Sequence, residues 1–156
     1  MIRVGVISDS HWAEVRLRMF IDQARERRYD SIVFCGDGLS DAKQIERELS
    51  IPVKYVAGNC DWSAKNAPRE LRLNLGGVKT LVVHGDRFDS IKWDLSGLSY
   101  YAEDIGADLV LFGHTHQPHA AYVGRTLMVN PGALMSGRYA ELEIEDGRVE
   151  PYLREL

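Results

Sequence analysis

The stretch Leu109 to Pro118, LVLFGHTHQP, limits the folds open to this chain more than any other. Leu109, Val110, Leu111 and Phe112 form an unbroken apolar run that stops at Gly113, the pattern of a short strand buried on both faces. His114, Thr115 and His116 follow directly, and Pro118 closes the segment. Polar side chains on the turn leaving a buried strand stand at the edge where α/β proteins bind ligands. A lone histidine there reads as an ordinary loop residue. A pair of histidines points to a site when the same design recurs upstream, and here it does.

Arg3 to Ile7 reads as a first strand, ending in Ser8-Asp9-Ser10-His11. Leu17, Phe20, Ile21 and Ala24 then fall at helical spacing, with Arg16, Arg18, Asp22 and Arg25 on the opposite face. Ser31 to Cys35 is a second strand running into Gly36-Asp37-Gly38, and the spacing predicts a helix from Ser40 to Leu49. Pro52 to Ala57 is a third strand, running into Gly58-Asn59-Cys60-Asp61. Strands alternating with helices imply parallel pairing through right-handed crossovers.

The second half changes character. Leu71, Leu73 and Leu75 alternate with polar residues, and Gly76-Gly77 turns the chain into Val78 to Val83, a hairpin that ends at His84-Gly85-Asp86. A helix is predicted over Leu95 to Ile105. Ala120 to Val123 and Thr126 to Val129 flank Gly124-Arg125, while Tyr139 to Glu145 and Arg148 to Leu153 flank Asp146-Gly147, giving two more hairpins. An α/β first half and a largely antiparallel second half predict two stacked mixed sheets with helices outside. No linker, repeat or low-complexity segment interrupts the chain.

The 156 residues suit a single domain spanning 1–156 with a substantial core. The formal net charge of −4 provides no basic footprint for generic nucleic-acid binding. Two cysteines, Cys35 and Cys60, form no disulfide framework and suit a reducing compartment. Cys35 ends an apolar strand and reads as core. The apolar run Ile2 to Ile7 is too short for a signal peptide, and no stretch approaches the ~20 apolar residues of a membrane span. The expected location is the cytoplasm.

Five strands thus run into potential metal ligands: Asp9 and His11, Asp37, Asn59, His84, and His114 with His116. Parallel strands bring such ends to one edge. Two carboxylates, four imidazoles and an amide suit manganese, iron, zinc or nickel better than calcium. Seven donors exceed one tetrahedral site but suffice for two ions if a carboxylate bridges. Two divalent ions carry four positive charges and the aspartates cancel two, so a bridging hydroxide and an anionic substrate are favoured. Paired ions ~3.5–4 Å apart acidify water and steady both oxygens of an in-line displacement.

DSH at 9–11, GD at 36–37, GN at 58–59, HG at 84–85, GHTH at 113–116 and NPG at 130–132 together resemble the calcineurin-like metallophosphoesterases, in their small single-domain prokaryotic branch. The resemblance runs across nearly the whole chain. It implies an α/β four-layer αββα sandwich and a metal-dependent phosphoesterase, expected to act on phosphodiesters. Asp9, His11, Asp37 and His116 would hold one ion, and Asp37, Asn59, His84 and His114 the other, with Asp37 bridging. Asp37, Asn59 and His114 are the expected catalytic residues, and manganese is the first expectation for both ions. Water or hydroxide would attack phosphorus directly, without a phosphoenzyme.

The sequence departs from that pattern at Cys60, where many relatives carry a histidine that protonates the leaving group. Near neutral pH a thiol is a weaker proton donor than imidazole. Cys60 is read first as a packing residue behind the site, with an extra metal ligand as the alternative; good leaving groups are then favoured, or water donates the proton. Asp61 is expected to orient neighbouring groups rather than bind metal. Trp12 and Trp62 either cover the core edge or stack on an aryl or nucleobase part of a small phosphate-ester substrate. Asp86, Arg87 and Asp89 read as solvated loop charge. Arg138 is read chiefly as unrelated to the site, with a phosphate contact as the alternative. A non-catalytic metal-binding scaffold or protein-interaction module of the same fold competes with the enzyme. The full donor set favours the enzyme, and Cys60 alone favours the scaffold. Strand edges after Pro118 provide room for homo-oligomers.

Overall fold

Each apolar run becomes a strand or a helix face in the computed structural model, which describes residues 1–156. Strands β1 (Ile2–Ile7), β2 (Ser31–Phe34) and β3 (Val53–Tyr55) lie parallel, joined by α1 (Glu14–Arg27) and α2 (Leu39–Leu49). On the other side of β1, strands β9 (Arg138–Glu145) and β10 (Arg148–Glu155) add antiparallel, giving the order β10-β9-β1-β2-β3. The second sheet holds β4 (Glu70–Leu75), β5 (Val78–Val83), β6 (Leu109–Leu111), β7 (His119–Val123) and β8 (Thr126–Asn130), in the order β4-β5-β6-β8-β7. Helix α3 (Ser96–Asp104) links β5 to its parallel neighbour β6.

Two pairings depart from an antiparallel second half, β5 with β6 and β6 with β8. β8 turns back from β7 and lies parallel to β6. All five of its residues are buried, so it needs a strand on each side, and the more exposed β7 takes the edge. The hairpins follow their turn residues. Gly76 and Gly77 have φ of 56° and 90°, and Asp146 and Gly147 have 52° and 74°, the double left-handed geometry that matches strand twist.

Three apolar layers hold four layers of structure together. Val4, Val6, Val33, Val82, Leu109, Leu111 and Leu142 fill the space between the sheets. Leu17, Phe20, Ile21 and Ile45 seal α1 and α2 onto the first sheet, and Leu98 and Ala102 seal α3 onto the second. β6 explains its own sequence: Leu109 and Leu111 face the inter-sheet core, while Val110 and Phe112 face the α3 layer. The architecture is the αββα sandwich expected. No helix is long and apolar enough to cross a membrane.

Candidate metal centre

The turns after β1, β2, β5 and β6 meet at one edge, where the two sheets present their parallel ends together. Asp9 is wholly buried there and Asp37 nearly so. His84 Nε2 lies 3.1 Å from Asp37 Oδ2 and 3.9 Å from Asp9 Oδ1. His116 Nε2 stands 3.2 Å from Asp9 Oδ1, and His11 Nε2 stands 3.4 Å from Asp9 Oδ1 and 3.8 Å from Asp37 Oδ2. Donor atoms of Asp9, His11 and His116, and of Asp9, Asp37 and His84, fall within 4.8 Å of one another.

Local backbone geometry produces this convergence. Asp9, His11, Asp37, His114 and His116 all have positive φ, between 44° and 67°, which non-glycine residues seldom adopt. Gly36, at φ 100°, lets three loops close on one another, since a Cβ there would lie 2.8 Å from both His84 Nδ1 and the Gly58 nitrogen.

Each ligand candidate is braced from behind. Asp9 Oδ2 accepts the Ser8 hydroxyl at 2.6 Å and the His114 N–H at 3.1 Å, leaving Oδ1 toward the imidazoles. Asp37 Oδ1 accepts the Cys60 N–H at 2.8 Å, leaving Oδ2 toward His84. His84 Nδ1 meets the Cys35 carbonyl at 2.7 Å and donates to it, so Nδ1 carries a proton. Its Nε2 is then a buried atom with no hydrogen-bond partner, as is His11 Nε2. Unpaired imidazole nitrogens aimed at buried carboxylates fit a divalent cation between them, and a carbonyl behind the ring is a usual support for such a ligand.

Charge is arranged to match. Burial opposes ionisation of Asp37, but His84, with its Nε2 3.1 Å from Asp37 Oδ2, outweighs it and holds the Asp37 pKa at about 2. Burial also works against the His84 imidazolium, yet Asp37 and Asp9 raise its pKa. Burial and the charge of His84 lower that of His114.

The remaining expected residues divide. His114 has its ring 5.2 Å from that of His84 and is tied to Asp9 through its backbone. Asn59 stands exposed at the rim, with its amide 3.8 Å from Cys60 Sγ. Cys60 is not a packing residue behind the site: its Sγ faces in, within 4.8 Å of donor atoms of His11 and Asp37. Burial and the facing Asp37 push its thiol pKa up. Trp12 and Trp62 are 55% and 80% exposed, so neither covers the core edge. The Arg138 guanidinium is paired with Glu155 at 2.9 Å. Arg87 and Asp89 are exposed as expected.

Three supporting residues carry no ligand signature in the sequence. Asn130 donates to the Gly113 carbonyl at 3.1 Å and to Thr115 Oγ1 at 3.0 Å, bracing the histidine turn from β8. Arg69 donates to the Gly58 carbonyl at 3.0 Å. Ser10 donates to Asp41 at 2.6 Å and ties the first ligand turn to α2. Asn130 opens the NPG motif, whereas Arg69 lies outside every motif, where only side-chain polarity hints at a role.

Fold and edge together define a metallophosphoesterase architecture. Residues 2–145 match the calcineurin-like phosphoesterase superfamily domain, and the chain belongs to that superfamily. It is similar to the protein named "Probable metallophosphoesterase YsnB" of Bacillus subtilis (strain 168), 36% identical over 142 residues that span 91% of this chain and 80% of that one. A phosphodiesterase of Methanocaldococcus jannaschii is 22% identical over 146 residues, spanning 84% and 83%. The crystal structure of a conserved uncharacterized protein from Streptococcus pneumoniae TIGR4, titled a predicted phosphoesterase, aligns with a TM-score of 0.80 at 28% identity, over 99% of this chain and 89% of that one.

Proposed function

We propose that the chain is a metal-dependent phosphodiesterase that hydrolyses a small phosphate ester at a two-cation centre. The observation that carries this reading is the unpaired, buried Nε2 of His84, directed at the buried carboxylates of Asp37 and Asp9. Asp9, His11, Asp37 and His116 would hold one cation, and Asp37, Asn59, His84 and His114 would hold the other. Two such cations supply an acidified water and neutralise charge on a phosphoryl group. Manganese is proposed first, and the same oxygen and nitrogen donors serve iron, nickel or zinc.

The chain's own residues set up the remaining steps. Asp9 and Asp37 each have one oxygen committed to protein donors, so a single oxygen of each faces the ligand space. His114, whose pKa burial and His84 lower, and Asn59 at the rim would complete the substrate side. Cys60 retains its proton and is a poor acid toward a departing oxygen, so esters with good leaving groups are favoured. The relative from Methanocaldococcus jannaschii, named a phosphodiesterase, supports a diester over a monoester.

The test is hydrolysis of bis(p-nitrophenyl) phosphate by chelator-stripped protein, with and without added manganese. Turnover should depend on the metal, and Asp37→Ala should lower it on the order of 100-fold or more. Normal cation binding without turnover on manganese, iron, nickel or zinc would overturn the reading in favour of a non-catalytic scaffold.

A further inference from the structure

We propose that a groove beside the histidine turn, walled by Trp93, receives the nucleobase of a nucleotide phosphodiester; the assignment rests on the phosphodiesterase reading above. The groove, about 270 Å³, lies between the β5–α3 and β6–β7 loops. Ile91, Lys92 and Trp93 line one side, and Phe112, Gln117 and His119 line the other. Trp93 is 79% exposed, so its ring contributes nothing to the core.

The groove adjoins the histidine turn through Thr115 and Ile91. Ile91 is buried against Gly85, where a Cβ would lie 2.7 Å from Ile91 Cδ1 and 3.7 Å from His114 Cβ. The loop carrying Trp93 is thereby anchored beside His114. Thr115, which separates the two histidines, also lines the groove. Lys92, exposed in the groove lining, adds a positive charge on this side. It complements the phosphate of a ligand whose remainder lies in the groove.

The lining selects a heteroaromatic ring over a plain aryl group. Ile91, Phe112 and the face of Trp93 supply apolar and stacking surface, as a base requires. Gln117 brings an amide that both donates and accepts hydrogen bonds. His119 Nδ1 meets the Met128 carbonyl at 3.0 Å and so carries the proton, leaving Nε2 as an acceptor. A phenyl ring offers these groups no hydrogen bond, whereas the ring nitrogens and exocyclic groups of a base match them. The volume falls just below the ~300–1,000 Å³ of sites that enclose a whole ligand. It suits one base, with sugar and phosphate extending toward His114 and His116.

The test has a binding arm and a kinetic arm. Trp12→Phe with Trp62→Phe leaves Trp93 as the only tryptophan of the three. Adenosine 5′-monophosphate should then quench the emission saturably, and methyl phosphate should not. In otherwise native protein, thymidine 5′-(p-nitrophenyl phosphate) is compared with methyl p-nitrophenyl phosphate, which has the same leaving group. Trp93→Ala should lower the ratio of their kcat/KM values about tenfold, as loss of one base–aromatic stack predicts. Gln117→Ala, at an exposed position, should lower it less. Hydrolysis without quenching, equal quenching by methyl phosphate, or an unchanged ratio in both variants overturns the groove assignment. Quenching by the nucleotide with neither ester hydrolysed supports the groove and overturns the phosphodiesterase reading.

Discussion

Asp61 is the residue whose loss tests the most of the structure at once. Its carboxylate accepts four backbone N–H groups: Asp37 and Gly58 at 2.8 Å on Oδ2, and Gly38 at 2.9 Å and Leu39 at 3.1 Å on Oδ1. It therefore clamps the turn bearing Asp37 to the turn bearing Asn59, and its charge sits at the N-terminus of α2. Asp61→Asn keeps the shape but turns one oxygen into an NH2 group facing two N–H donors. Two charge-assisted bonds are lost, each contributing ~1.5–3 kcal/mol, so the expected destabilisation is about 3–6 kcal/mol. That is a large part of the ~5–15 kcal/mol that holds a typical domain folded. Urea unfolding of the metal-free protein should show a lower midpoint with an unchanged slope. Calorimetric titration with manganese should show affinity weakened ~10–100-fold, as for other residues that support a ligand. A stability change under about 1 kcal/mol together with native metal affinity would refute the clamp.

Two further outcomes follow. Cys60→His replaces a thiol that faces His11 and Asp37 with a better acid, so the rate should depend less steeply on leaving-group pKa across a series of aryl phosphodiesters; an unchanged slope contradicts a proton-donor deficit at this position. Glu48 is held at about 2 by hydrogen bonds from Arg18 and then Gln44, below its ordinary 4.5. A depressed folded-state pKa gives stabilisation that is complete above the unfolded value and lost as pH falls through the folded one. The melting-temperature gap between native protein and Glu48→Gln should therefore hold steady at neutral pH and close between about pH 4.5 and pH 2; a gap constant over that window refutes the pairing.

Much of the fold was legible because its signals are local. The alternation of Leu71, Leu73 and Leu75, the Gly-Gly and Asp-Gly turns, and the helical spacing from Leu17 to Ala24 each required only a short window of sequence. The placement of β8 was not legible in that way. Thr126 to Asn130 reads as the second arm of a hairpin, which it is, but its other neighbour β6 is fixed by packing with no local mark. The pairing of β9 with β1, across the whole chain, is of the same kind.

The candidate ligands were legible as polar residues closing apolar strands, but the sequence did not show what holds them together. Nine non-glycine residues have positive φ. Arg28 and Ser50 end helices, and Asp146 turns a hairpin, so the fold requires their conformation. Asp9, His11, Asp37, His114 and His116, together with Trp12 beside His11, end no helix and turn no two-residue hairpin. Left-handed backbone in such residues costs ~1–3 kcal/mol each and persists only where the surroundings enforce it. Here they do: the Asp9 N–H reaches the Gly36 carbonyl at 2.9 Å, the His11 N–H reaches that of Asp37 at 3.2 Å, and the Gly113 N–H reaches that of His84 at 2.9 Å. These tethers run from one ligand loop to another. Strain that the fold does not require, enforced by bonds between the ligand-bearing loops, belongs to the convergence of their side chains, and that is the physical reason to read this edge as a site.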